Sequence, residues 1–123
     1  MDYSVEMKVK AASWTGSVGV VARYTNSNNY YRLVYKPGTD ELLIIRKKSG
    51  VAATLASVTA ADLSTDVYHT FKLTLDGDKL TGYIDGEQKI SYTDSSANKL
   101  VAGCIGAMAY NQYAYCDDVT VIR

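Results

Sequence analysis

The sequence predicts an all-β chain, folded as a two-sheet antiparallel sandwich. Most segments alternate apolar with polar residues, and none sustains a helical 3.6-residue period. Turn-forming pairs recur at near-regular spacing between those segments. Eleven Tyr, many Val and Thr and a single Pro suit pleated strands joined by short turns.

Taken in order, Tyr3, Val5, Met7 and Val9 face one way and Ser4, Glu6, Lys8 and Lys10 the other, a half-buried strand. A loop holding Trp14 and Gly16 leads to a strand from Val18 to Tyr24. Thr25-Asn26-Ser27-Asn28-Asn29 is turn chemistry, because Asn tolerates positive φ and bonds its own backbone. Tyr30 to Lys36 follows, closed by Lys36-Pro37-Gly38-Thr39-Asp40. The chain returns from Glu41 to Lys48, turns at Ser49-Gly50, and leaves through Val51 to Val58, making a four-strand antiparallel meander. Thr59 to Val67 reads as a connection with at most a short helical turn. Phe71, Leu73 and Leu75 then alternate with Lys72 and Thr74. Asp76-Gly77-Asp78 and Asp85-Gly86 are hairpin turns flanking strands Leu80 to Ile84 and Gln88 to Tyr92. Asp94 to Lys99 is loop, and Ile105 to Tyr110 and Tyr115 to Ile122 complete about ten strands, most consistent with a jelly roll.

The 123 residues are expected to form one domain, 1–123, long enough to bury a core without metals or disulfides. No apolar run approaches the roughly 20 residues that span a bilayer, so no membrane partner is expected. Met1 leads straight into a strand pattern with no charged-then-apolar leader, as expected of a domain cut from a longer protein. A disulfide between Cys104 and Cys116 stays open, although the local alternation argues for one buried and one exposed thiol instead. Two cysteines without clustered His make no zinc site.

Zero net charge conceals a local imbalance. Between Ser17 and Ser57 lie six basic residues (Arg23, Arg32, Lys36, Arg46, Lys47 and Lys48) against Asp40 and Glu41; the other 82 residues hold seven basic and eleven acidic groups. Recognition follows the local field rather than the sum. With Tyr31, Leu33 and Tyr35 inward, Tyr30, Arg32, Val34 and Lys36 share the opposite face. Placing Leu43 and Ile45 inward leaves Leu42, Ile44, Arg46 and Lys48 outward, and Val20 and Ala22 inward leave Val21 and Arg23 outward. Lys47 then falls out of the set and snorkels at the core margin. Like charges side by side across strands destabilise a sheet, so five cations on one face point to an anionic ligand. The expected site is Arg23, Tyr30, Arg32, Lys36, Arg46 and Lys48, with Tyr30 stacking and Val34 and Ile44 as apolar floor. Trp14 is equally a platform or a core plug.

Catalytic chemistry is not expected. Glu6, Glu41 and Glu87 stand apart, and no Glu-x-Asp-x-x-Glu pattern supplies paired carboxylates. His69, the only histidine, reads as a surface residue, and no serine has nucleophile-elbow glycines. No cofactor is expected; Asp117-Asp118 leaves room for a structural calcium contact that would need further oxygen ligands. With pI near 6.5, nucleic acid is not an expected partner.

Several segments in order carry a resemblance. They are Tyr3 to Lys10, Gly19 to Tyr24, Ser27 to Leu33, Leu55 to Ser57, Tyr68 to Leu73, Tyr83-Ile84-Asp85-Gly86, Gly103-Cys104-Ile105-Gly106 and Tyr115-Cys116-Asp117-Asp118-Val119. Together they resemble the concanavalin A-like (laminin-G-like) jelly-roll modules appended to bacterial polysaccharide-degrading enzymes. Within that group the basic meander is most similar to pectin-binding modules attached to pectate lyases, carbohydrate-binding module family 77. The resemblance implies a secreted, non-catalytic and monomeric module that binds pectin or homogalacturonan and targets an appended catalytic domain to plant cell wall. The competing readings are a neutral-glycan module, an electrostatic heparin-type binder, and a laminin-G-like adhesion module with a protein partner.

Overall fold

The computed structural model describes residues 3–10, 16–36, 38–59, 63, 65–95 and 100, and the backbone of 104–110 and 115–122. Ten strands are present: β1 (Tyr3–Lys10), β2 (Ser17–Asn26), β3 (Asn29–Lys36), β4 (Glu41–Lys48), β5 (Val51–Thr59), β6 (His69–Asp76), β7 (Lys79–Ile84), β8 (Glu87–Thr93), β9 (Cys104–Tyr110) and β10 (Tyr115–Ile122). They form two five-stranded antiparallel sheets, ordered β10-β1-β6-β7-β8 and β5-β4-β3-β2-β9. The predicted meander is therefore present as β2 to β5, and every predicted strand is found, seven of them one to three residues longer. No helix occurs among the described residues.

The core lies between the sheets. Val5, Met7 and Val9 of β1 and Phe71, Leu73 and Leu75 of β6 are buried in one layer; Val18 and Val20 of β2, Tyr31, Leu33 and Tyr35 of β3, and Leu42 and Ile44 of β4 are buried in the other. Alternate residues do this because strand side chains have period two. The Tyr35 ring meets the Phe71 ring edge-on across the layers, at 6.5 Å and 78°, while its hydroxyl reaches Asp40 Oδ1 at 2.9 Å. The amphipathic ring thus fills the core and keeps its polar tip bonded.

Turns fix the registers. Residues 38–40 turn ahead of Glu41, which with Lys36 is the closing pair of the β3–β4 hairpin, and Asp40 lies in the left-handed region at φ 51°. At the sandwich's other end the β2–β3 and β4–β5 turns are tied together. Ser49 N donates to Asn29 Oδ1 at 2.9 Å and Gly50 N to Asn28 O at 3.1 Å, while Asn26 Oδ1 accepts from Asn28 N and Asn29 Nδ2. The asparagines predicted as turn formers therefore also hold two hairpins in place.

Candidate functional site

Residues directly opposite in an antiparallel pair share a face. On β3 and β4 the pairs are Tyr31↔Arg46, Leu33↔Ile44 and Tyr35↔Leu42 on the core side, and Tyr30↔Lys47, Arg32↔Ile45, Val34↔Leu43 and Lys36↔Glu41 on the outer side. This corrects the expected phase of β4. Leu42 and Ile44 are core residues, Arg46 and Lys48 lie on the core side, and Lys47 lies on the outer face. Leu42-Leu43-Ile44-Ile45 is a continuous apolar run, so hydrophobicity alone leaves its phase open, and a one-residue slip moves every side chain to the other face. The hairpin loop length was the available signal: once Lys36 pairs with Glu41, the odd-numbered residues of β4 must face out with Lys36.

Arg23 is also misplaced by strict alternation. It has φ 48°, and the register of β2 shifts there against both β3 and β9. That bulge buries Ala22 and Arg23 in succession, leaving Arg23 2% exposed. Arg23 N donates to Tyr3 Oη and Arg23 Nη1 to Leu100 O, each at 2.9 Å. Close by, Tyr31 Oη donates to Asp94 Oδ2 at 2.5 Å and accepts from Leu100 N at 3.0 Å, and Arg46 Nη1 pairs with the same Asp94 oxygen at 2.8 Å. Asp94 is 1% exposed. Burial raises the Tyr31 pKa, and the Asp94 carboxylate, which accepts its proton, raises it further. Two of the six expected site residues thus form a buried polar network holding the segment after β8 against β3 and β4.

The outer face keeps Tyr30, Arg32 and Lys36 from the expected set and gains Lys47. Beyond the bulge Tyr24 joins them, its ring stacked on Tyr30 at 5.6 Å and 25°. The Arg32 guanidinium lies 6.0 Å from the Tyr30 ring centroid and the Lys47 ammonium 5.9 Å, both within cation–π range. Two tyrosines and two cations of different strands therefore gather beside the tied turns. Glu41 is the one acidic residue in the β3–β4 outer-face pairs, opposite Lys36 at the far end. Tyr30 is half-buried and holds both cations at its ring. The expected apolar floor is different: Val34, Leu43 and Ile45 form a small cluster on this face, all nearly buried, while Ile44 lies in the main core.

A family description, the Concanavalin A-like lectin/glucanases superfamily, matches residues 1–116. The chain belongs to this superfamily. Comparison of the sequence with curated proteins finds no match. Among solved structures, the carbohydrate-binding module CBM66 from Bacillus subtilis is similar with a TM-score of 0.79 at 17% identity, over 99% of this chain and 75% of that one. Sheep galectin-11, in a complex with glycerol, is similar with a TM-score of 0.76 at 9% identity, over 98% and 90%. A xylan β-1,4-xylosidase from Bacillus halodurans aligns with a TM-score of 0.69 at 18% identity, over 99% of this chain but only 28% of the enzyme. At these identities the likeness is one of fold.

Elsewhere in this lectin/glucanase sandwich, His69 departs from expectation. It starts β6 buried, with Nδ1 2.7 Å from Asp85 Oδ2, and the other Asp85 oxygen accepts from Thr70 N at 2.9 Å. Asp85, at φ 53° in the β7–β8 turn, is a side-chain staple between that turn and β6. Sequence reading missed the pair because sixteen residues separate its members. Glu6, Glu41 and Glu87 sit on β1, β4 and β8. Among the described residues no group of three or more His, Asp or Glu could hold a metal ion. Trp14 and the side chains of Cys104, Cys116, Asp117 and Asp118 lie outside the described residues. The backbone register between β1 and β10 does shift between Asp117 and Thr120, close to the expected bulge.

Proposed function

We propose that this chain is a non-catalytic carbohydrate-binding module for an acidic polysaccharide, pectin or homogalacturonan, which it engages with the outer face of β3 and β4. The observation that carries the reading is the gathering of Arg32 and Lys47 around Tyr30. Arg offers a carboxylate two parallel hydrogen bonds and Lys a point charge. Strands spaced about 4.8 Å apart, with same-face residues about 6.8 Å apart along each, suit a polymer that repeats one carboxylate per sugar. Lys36 extends the cationic line along β3. Membership of a lectin and glucanase superfamily supports a sugar ligand. The fold likeness to part of a larger xylosidase supports a role in tethering an appended enzyme to plant cell wall after secretion. The separation of the three glutamates supports binding without turnover.

A second reading, a neutral-glycan module, draws on the Tyr24–Tyr30 stack, since tyrosines can pack on sugar rings without any charge. Binding to low-methyl pectin, highly methylated pectin, xylan, glucan and heparin at two salt concentrations separates them. The acidic-glycan reading requires preference for low-methyl pectin and loss of affinity with salt. Equal, salt-insensitive binding to highly methylated pectin would replace it with the neutral reading.

A further inference from the structure

The outer face of β3 and β4 carries a charge gradient along its strands. At the end with the tied turns, Arg32 and Lys47 converge on Tyr30. The pair Val34 and Leu43 further along is apolar and nearly buried. At the far end Lys36 stands opposite Glu41, and Asp40 immediately precedes Glu41. These are the two acidic residues of the segment 17–57, and both lie at that one end. Asp40 is engaged from the core side, where its Oδ1 accepts from Tyr35 Oη at 2.9 Å. Glu41 holds the outer-face position, half-buried beside an exposed Lys36. Opposite residues of an antiparallel pair have Cβ atoms about 5 Å apart, so the Glu41 carboxylate meets whatever anion Lys36 attracts. Arg32 and Lys36 are four residues apart on β3. That is about 14 Å along the strand.

We propose that Glu41 terminates the polyanion site: it cancels Lys36 for a ligand carboxylate and confines tight contact to the Tyr30 end of the face. The inference rests on the acidic-glycan reading and adds to it a specificity-determining residue and a preferred ligand length. Opposite charges across neighbouring strands also steady the hairpin end. On a face that takes a polyanion, the same carboxylate has a second effect. A uronate chain laid along β3 gains contacts at Lys47 and Arg32, then meets a Lys36–Glu41 pair of no net charge. Affinity therefore rises with chain length only until the Arg32 end is filled. The ligand class is a short stretch of free uronates, and the continuing chain is free to leave the face or to carry esters there.

The test is calorimetric titration of oligogalacturonates of increasing length, from digalacturonate upward, with thermal melts as the folding control. The proteins are wild type, Glu41→Gln, Lys36→Ala and the double variant. Wild-type affinity should level off at short length, a readout that needs no variant, and Lys36→Ala alone should cost little. Glu41→Gln should bind long oligomers roughly three- to tenfold more tightly, the worth of one like-charge contact near a surface. Digalacturonate, too short to reach from Arg32 to Lys36, should gain nothing. Lys36→Ala added to Glu41→Gln should abolish the gain, a coupling that a merely structural Glu41 would not produce. The gain should also shrink as salt rises. Wild-type affinity that keeps climbing with length, no gain in Glu41→Gln, an equal gain for digalacturonate, or a gain that survives Lys36→Ala would each overturn the inference and leave the acidic-glycan reading standing. Failure of wild type to bind any oligogalacturonate would remove both.

Discussion

Replacing Arg46 by Ala separates a ligand contact from a structural one. As an outer-face cation, Arg46 would cost affinity and leave folding alone; where it actually lies, it neutralises Asp94, which is 1% exposed and shares its Oδ2 with Tyr31. Removing one partner of a buried pair leaves an uncompensated charge and costs about 3–5 kcal/mol. The Arg46 side chain is 12% exposed, so that range applies with little discount for solvent. At roughly 2.1 cal/mol/K of unfolding entropy per residue, this domain loses about 4 °C of Tm per kcal/mol, hence about 12–20 °C. Thermal and urea melts measure it, with glycan affinity determined well below the variant's Tm. Arg46→Met combined with Asp94→Asn should recover most of the loss, because removing both charges leaves neither orphaned, and the Asn carbonyl can still accept from Tyr31. An Arg46→Ala variant that melts within a few degrees of wild type but binds glycan tenfold more weakly would refute the buried assignment.

The Tyr31 phenol is held protonated in the folded state well above its ordinary pKa of 10.0. The folded chain therefore keeps a proton that the unfolded chain releases, and this contribution to stability is full below pH about 10 and falls as pH rises beyond it. Urea midpoints from pH 7 to 11 should show the fall; Tyr31→Phe should start lower and lack that part of the slope. Gly19→Ala should be severe. Its Cβ would overlap the Leu33 carbonyl oxygen and stand 2.8 Å from Val34 Cα, so backbone must move, at a cost of about 1–3 kcal/mol or more. Gly77→Ala, with nothing within 4 Å but φ 60°, should cost only about 1 kcal/mol. Chemical denaturation of both variants checks the ordering.

The strands were legible because their alternation was, and the meander because its turns carried Asn, Gly and Asp. The face assignments failed where period two is broken or undefined. At Arg23 a bulge turns a charged side chain inward, and a bulge inside a strand leaves no mark in an apolar–polar pattern. From Leu42 to Ile45 both faces are apolar, so only the hairpin loop could set the phase. Arg46 and His69 were misread for another reason: their partners, Asp94 and Asp85, come from distant strands and turns. A basic residue beside an apolar run looks the same whether it meets solvent or a buried carboxylate. Tyr30, Arg32 and Lys36 were placed correctly because β3 alternates without interruption.

Calorimetric titration of polygalacturonate into wild type, Arg32→Ala, Lys47→Ala, and a Lys72→Ala and Lys89→Ala control pair bears most directly on the ligand face. Arg32 and Lys47 meet at Tyr30, whereas Lys72 and Lys89 belong to the other sheet. Losing a charge-assisted contact of about 1.5–3 kcal/mol should weaken binding by roughly one to two decades for Arg32→Ala. Lys47→Ala should lose less, since it supplies a point charge, and the controls should bind like wild type. Wild-type affinity in both Arg32→Ala and Lys47→Ala, with loss in the control pair, would contradict the assignment of the ligand to the outer face of β3 and β4.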